Sequence, residues 1–193
     1  MNWLAYFRDN LTGAWQVLLG RPEGLNRLDT SLEGFWRSFT VVIVVAPIAF
    51  LALVGQEPLP SDPNAVVAPL TAARILLYGI TLLVDWFAFP LLFALLAPSF
   101  GLGSRYVPFV VARNWASIVI SAIVAIVHVL RIFGLLPIAV LPYALLVVFA
   151  IALRLSYVLV RTTLSVSIMM ALPIVILDFL LSLVIWSVFD RLG

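Results

Sequence analysis

Five long apolar stretches with few charges limit the folds that this chain can adopt. About 20 mostly apolar residues in a helix cross the roughly 30 Å hydrocarbon core of a bilayer. Hydrophobic residues make up 64% of the 193 residues and charged residues only 10%, whereas a soluble domain is roughly 25% charged. The pattern therefore excludes a water-soluble fold and predicts an all-α, polytopic membrane helix bundle with five transmembrane helices. The predicted spans cover about residues 39–54, 71–96, 107–132, 138–160 and 164–189.

In front of the spans, the chain begins with an amphipathic segment that is too polar to cross a bilayer. Its apolar residues repeat at helical spacing, and polar residues such as Arg8 fall on the other side. We therefore predict an interfacial helix on the membrane surface. Residues 1–38 would form a cytoplasmic region and residues 39–193 the five-span domain, with a Thr30/Glu33 capping box at the start of a second helix. The apolar stripe consists of Leu4, Phe7, Leu11, Ala14 and Leu18.

All 11 basic residues are arginine, and their distribution predicts the orientation of the bundle. With the N-terminus in the cytoplasm, eight arginines lie on the cytoplasmic side and three, Arg74, Arg131 and Arg191, on the other. The first external loop is then acidic, rich in proline and without a basic residue. Because positive residues concentrate in cytoplasmic loops, we expect an N-in, C-out topology. The arginines stand singly among apolar runs, so the net positive charge of the chain does not indicate nucleic-acid binding.

Recognisable catalytic motifs are absent from the sequence. It contains no cysteine and one histidine, which excludes thiolate metal sites and an ordinary zinc site. No phosphate-binding loop, HExxH helix or GxSxG elbow occurs. We therefore expect no metal, no cofactor and no enzymatic activity. An intramembrane aspartyl protease would need two aspartates at one depth, but the helical rise places Asp85 near the midplane and Asp178 nearer the outer face.

Asp85 and Asp178 are the most informative polar residues because they lie inside apolar spans. A charge in hydrocarbon is costly, so an intramembrane acid belongs to an ion pathway or has a partner within the bundle. Counting residues along the spans places Arg154 near the depth of Asp85, and His128 near that of Asp178. We favour pairing of Asp85 with Arg154, and of Asp178 with His128 or a backbone group. A proton or ion relay is the alternative.

Four arginines near predicted cytoplasmic ends are candidates for contact with anionic lipid headgroups. A long arginine side chain near the end of a span can reach the interface while its stem stays in apolar surroundings. Ordinary anchoring of the topology is the simpler alternative. The candidates are Arg8, Arg105, Arg113 and Arg161.

Three local motifs accompany the amphipathic start, the five spans and the short connection between spans three and four. They are Arg21-Pro22-Glu23 after the first helix, the stretch from Phe100-Gly101 to Tyr106, and Arg161-Thr-Thr-Leu-Ser-Val-Ser167 with Ala171. This arrangement resembles the Yip family of Ypt/Rab-GTPase-interacting membrane proteins, in particular its bacterial members. The Asp-Leu-Tyr-Gly-Pro signature of eukaryotic members is absent, so Rab binding is not carried over. The resemblance implies a bacterial inner-membrane protein that acts by interaction or membrane organisation.

Together these features predict a non-enzymatic membrane scaffold, a membrane-organising protein or an accessory subunit of a larger membrane complex. The expected partners are the lipid bilayer and other integral membrane proteins or further copies of this chain, with no nucleic acid. The alternative is a small oligomeric transporter or channel that uses intramembrane Asp85 or Asp178. An odd number of spans does not divide into equal halves, which disfavours the repeat architecture common in transporters.

Overall fold

The computed structural model describes residues 2–55 and 71–191, and within these ranges the chain is helical and contains no strand. All but one residue of the predicted acidic first loop lies outside the described residues. Short 3-10 turns connect some of the α-helices. The α-helices are α1 Trp3–Leu18, α2 Leu32–Phe39, α3 Val42–Gly55, α4 Ala72–Leu96, α5 Tyr106–Ile132, α6 Leu141–Leu164 and α7 Ile168–Asp190.

Among the described residues, five helical segments are long and apolar enough to cross a membrane, which confirms the predicted all-α polytopic bundle. The first of them combines α2 and α3, which are separated by a turn at Thr40 and Val41. The other four are α4 and α5, each with a flanking 3-10 turn, and α6 and α7. The segments are Leu32–Val54, Ala72–Phe100, Gly103–Ile132, Leu141–Leu164 and Ile168–Asp190.

The structure also differs from the predicted spans where the fourth span meets the fifth. The prediction ends span four at residue 160, before Arg161, but α6 continues to Leu164. An arginine in the last turn can extend its charged group toward water, so it does not end the helix. Ser165 ends it instead, with a φ of 53°, in the left-handed conformation typical of helix C-termini. As a result, α7 begins at Ile168 and not at residue 164.

The N-terminal helix α1 packs along α5 and α6. Ala14, Val17 and Leu18 are fully buried and belong to the same hydrophobic core as residues of the membrane helices. Leu4, which was expected on the apolar face, is 68% exposed. The C-terminal half of the predicted apolar stripe therefore faces protein, and the region before residue 39 shares one core with the spans.

The predicted capping box at the start of α2 is wrong by one residue. Ser31, and not Thr30, is the N-cap, and its hydroxyl accepts a hydrogen bond from the N–H of Gly34 at 3.0 Å. A capping box needs Glu or Gln at the position that Gly34 occupies. Glu33 instead forms an ion pair with Arg37, one turn further along α2.

Asp29 organises the turn in front of α2. Its Oδ1 accepts the N–H of Ser31 at 3.2 Å and the hydroxyl of Ser31 at 2.6 Å. The backbone carbonyl of Asp29 lies so close to Gly34 that a Cβ atom at residue 34 would clash with it. A glycine is therefore needed at this position for close approach of the turn to the helix.

The long helices follow one another around a ring. α5 packs against α3 and α6, α7 packs against α6 and α4, and α4 contacts α3 to complete the circuit. A buried polar contact joins α2 to this ring, because Asn114 Nδ2 on α5 donates a hydrogen bond to Ser38 Oγ at 2.9 Å. Ser38 and Asn114 are both fully buried. The ring places the inward faces of five helices around a common interior.

Candidate functional site

A cavity of about 230 Å³ lies inside the ring and is lined by side chains from all five long helices. Most of its wall is apolar, but two carboxylates, one guanidinium and three hydroxyl groups interrupt that wall. With the three charged groups ionised, the cavity carries one net negative charge. The polar residues are Asp85 on α4, Arg113, Ser117 and Ser121 on α5, Ser156 on α6 and Asp178 on α7.

Arg113 and Asp178 form an ion pair in this cavity. Arg113 Nη2 donates to Asp178 Oδ1 at 2.9 Å, and Nε donates to Oδ2 at 3.4 Å. In this arrangement the guanidinium fork faces both carboxylate oxygens. The two side chains are 19% and 25% exposed, and the guanidinium carbon lies 5.4 Å from the centroid of the Phe89 ring. The pair therefore links α5 to α7 across the cavity.

Asp85 lines the same cavity, but its Oδ1 is buried without a hydrogen-bond partner among the described residues. The indole Nε1 of the adjacent Trp86, a residue only 6% exposed, is likewise buried without an acceptor in residues 2–55 and 71–191. Buried polar groups normally have partners, since leaving one unpaired costs about 1–3 kcal/mol. The α4 wall of the cavity therefore contains two buried polar atoms that have no partner within the described part of the chain.

The positions of the three charged residues along their helices explain why they line the same cavity. Arg113 lies seven residues after the start of α5, Asp178 ten after the start of α7, and Asp85 eleven before the end of α4. These helix ends lie on one side of the bundle, where Arg105 before α5 donates to Ser165 Oγ after α6 at 2.6 Å. At 1.5 Å per residue the three groups are about 10, 15 and 16 Å from those ends. The predicted difference in depth between the two aspartates is therefore wrong, because it starts span five four residues too early.

Neither predicted partner of the aspartates is the one that the structure shows. Asp178 binds Arg113, whereas His128 is buried on α5 about 22 Å further along that helix. Asp85 faces the interior cavity and Arg154 is exposed on α6, so no ion pair joins them within the described part of the chain. The error has one physical source: residue counting gives depth along a span but not the face on which a side chain lies.

The structure also changes the role of Arg113. Contact with lipid headgroups is wrong for this residue, because it lies two turns inside α5 and faces the cavity. The other three candidates lie closer to the surface: Arg8 and Arg105 are exposed and Arg161 is half-buried. Arg105 uses one of its N–H groups on Ser165. Lipid contact by these three residues stays a prediction.

Sequence reasoning missed the serines and the inward role of Arg113, although a signal for them exists. Arg113, Ser117 and Ser121 recur every four residues in an otherwise apolar span, so they share one helix face. A polar stripe of this kind indicates an inward-facing side of a membrane helix. Ser156 and Trp86 have no polar residue three or four positions away in their spans and therefore carry no comparable signal.

The described side chains of the cavity supply charged and hydrogen-bonding groups, but they do not form a set of metal ligands. In the part of the chain that the structure describes, no group of three or more His, Cys, Asp or Glu side chains could hold a metal ion. The carboxylate of Asp178 is compensated by Arg113, while that of Asp85 is available for a proton or for a hydrogen-bond donor. The cavity can therefore bind a proton, a cation or a small polar solute.

Comparison with known proteins gives no match to a family model, to a curated protein sequence or to a solved structure.

Proposed function

We propose that this protein is a small membrane transport protein, a channel or a transporter, whose central cavity binds a proton or a small polar solute. The supporting observation is that Asp85, Arg113 and Asp178 meet in a cavity lined by all five long helices. Ionisable side chains inside a membrane bundle are expensive and typically mark ion or substrate pathways.

The proposed setting is the bacterial inner membrane, with an N-in, C-out topology. The excess of arginine on one side of the spans supports this orientation, and the Yip-like layout supports the bacterial membrane. In this orientation the cavity lies in the cytoplasmic half of the bundle. The proposed activity is not enzymatic: a catalytic pair of aspartates shares a proton, whereas Asp178 is held by an arginine.

Transport is tested with purified protein in liposomes on a solid-supported membrane. Jumps in proton, sodium, ammonium or amino-acid concentration are applied, and the transient currents are recorded. We expect a current with at least one solute class, reduced at least tenfold by Asp85→Asn. Asp9→Asn is the matched control, because it makes the same chemical change on the exposed side of α1, and it should leave the current intact. Currents no larger than those of empty liposomes with every solute would contradict the proposal.

A second candidate, an accessory subunit of a membrane complex, is favoured by Arg154. This residue is exposed on α6, ten residues before the end of that helix, so its charge faces the surroundings of the bundle. A partner helix with an intramembrane carboxylate would neutralise it. Gentle detergent extraction followed by identification of co-purifying proteins tests this role. A partner should be lost with Arg154→Gln and kept with Arg8→Gln; a partner kept equally by both variants would contradict it.

A further inference from the structure

We infer that the solute bound by the central cavity is a small organic cation with a primary ammonium group. The inference rests on the proposed transport function and names the class of its substrate. It depends on three properties of the cavity: its charge, its hydrogen-bonding groups and its size.

The charge of the cavity matches a monovalent cation. The Arg113 guanidinium compensates the Asp178 carboxylate at 2.9 Å, and among the described residues no basic side chain pairs with Asp85. An uncompensated carboxylate in a membrane interior is costly. One positive charge beside Asp85 would make the cavity neutral, whereas a monovalent anion would double its net negative charge. The same balance disfavours a divalent cation, which also requires six or more oxygen ligands.

The hydrogen-bonding groups match an ammonium group. An –NH₃⁺ group has three donors and no acceptor, so it needs oxygen acceptors around it. The Asp85 carboxylate and the hydroxyl groups of Ser117 and Ser121 line the cavity and supply oxygen atoms of this kind. Within the described part of the chain, no side chain or backbone group donates a hydrogen bond to Asp85 Oδ1.

The size and the walls of the cavity limit the rest of the solute. Its volume of about 230 Å³ is below the roughly 300–1,000 Å³ of pockets for drug-sized ligands. Phe89, Phe109 and Trp86 contribute aromatic surface, which packs on short carbon chains and attracts cations. The favoured ligands are therefore amines as small as methylamine or ethanolamine in their protonated forms.

Binding is tested on the detergent-purified protein with methylammonium and ethanolamine as probes and sodium acetate and tetrabutylammonium as controls. A ligand that binds only the folded state raises its melting temperature in a saturable way. We expect saturable stabilisation by the two small amines and none by acetate or by the bulky cation. Asp85→Asn should weaken the apparent affinity at least tenfold, while Asp85→Glu and the exposed control Asp9→Asn keep it. Equal stabilisation of wild type and Asp85→Asn would overturn the inference.

A second measurement does not depend on a variant of Asp85. In a Ser117→Cys protein, ethanolamine should slow alkylation of the new thiol at least several-fold, and acetate should not. An alkylation rate that ethanolamine leaves unchanged would overturn the inference. The two proposals fail differently: Asp85-dependent proton currents without amine binding refute the ammonium ligand alone, whereas amine binding without any solute current refutes transport and leaves the binding site.

Discussion

Removing either partner of the Arg113–Asp178 ion pair leaves a charge inside the bundle without compensation. The Coulomb attraction across 2.9 Å is about 6 kcal/mol at an effective dielectric constant of about 20. Measured losses on breaking buried pairs are about 3–5 kcal/mol. Because the two side chains keep 19% and 25% of their exposure, we expect the lower end of that range. Arg113→Gln or Asp178→Asn should thus destabilise the protein by about 3 kcal/mol.

The assay is thermal unfolding of the detergent-purified protein, followed by the fluorescence of its six tryptophans. A loss of about 3 kcal/mol corresponds to a melting temperature lowered by roughly 6–12 °C for a chain of this size. The double variant Arg113→Gln with Asp178→Asn should lose much less than the sum of the single losses, because it removes both charges of the pair together. Single losses that add within about 0.5 kcal/mol would refute the pairing.

Three further predictions concern the N-terminal region. Gly34→Ala should destabilise the protein by at least about 1 kcal/mol, because its Cβ would clash with the Asp29 carbonyl; an unchanged melting temperature would contradict this contact. Ser38→Ala should lower the free energy of unfolding by about 1–3 kcal/mol, because it leaves the Nδ2 group of buried Asn114 without its acceptor. Ser38→Thr keeps a hydroxyl group and tests whether that group alone restores the stability. Burial, reinforced by the Asp29 carboxylate, raises the pKa of Tyr6 above its ordinary 10.0. The unfolded chain therefore ionises first, and the stability that neutral Tyr6 contributes below pH 10 is lost as pH rises through the raised pKa. Alkaline unfolding curves of Tyr6→Phe should lack this component, and identical curves would count against it.

Much of the fold could be predicted because the bilayer imposes a simple length and polarity rule. The starts of the second and third spans are predicted to within one residue, since turn residues and a loss of apolar periodicity bound them. The junction after Arg161 could not be predicted in this way. A charged residue there is compatible with both a helix end and a continuing turn, and the left-handed Ser165 decides between them.

The cavity was only partly predictable, because depth along a span says nothing of the face that a side chain occupies. Asp85 and Asp178 stand out in the sequence as intramembrane acids, and the structure brings both to one cavity. Their partners depend on helix rotation: Arg113 turns inward to Asp178, whereas Arg154 turns outward. The rotation of each helix about its axis depends on its packing against the neighbouring helices of the ring, and the sequence of one span does not determine it.

The accessibility of introduced thiols shows whether a polar cavity lies inside the membrane bundle. The natural chain has no cysteine, so each introduced thiol reports one position. Ser121→Cys and Ser156→Cys point to the cavity, while Leu83→Cys, at nearly the depth of Asp85, replaces a side chain that is 47% exposed on the outer surface. Thiols react as thiolates, which form in polar surroundings and not in hydrocarbon.

The measurement is the labelling rate with a small, hydrophilic, membrane-impermeant thiol reagent in native membrane vesicles. The cavity positions should react at least tenfold faster than Leu83→Cys, and faster from the cytoplasmic side. Labelling of Ser121→Cys and Ser156→Cys as slow as that of Leu83→Cys would contradict a polar cavity at the centre of the bundle.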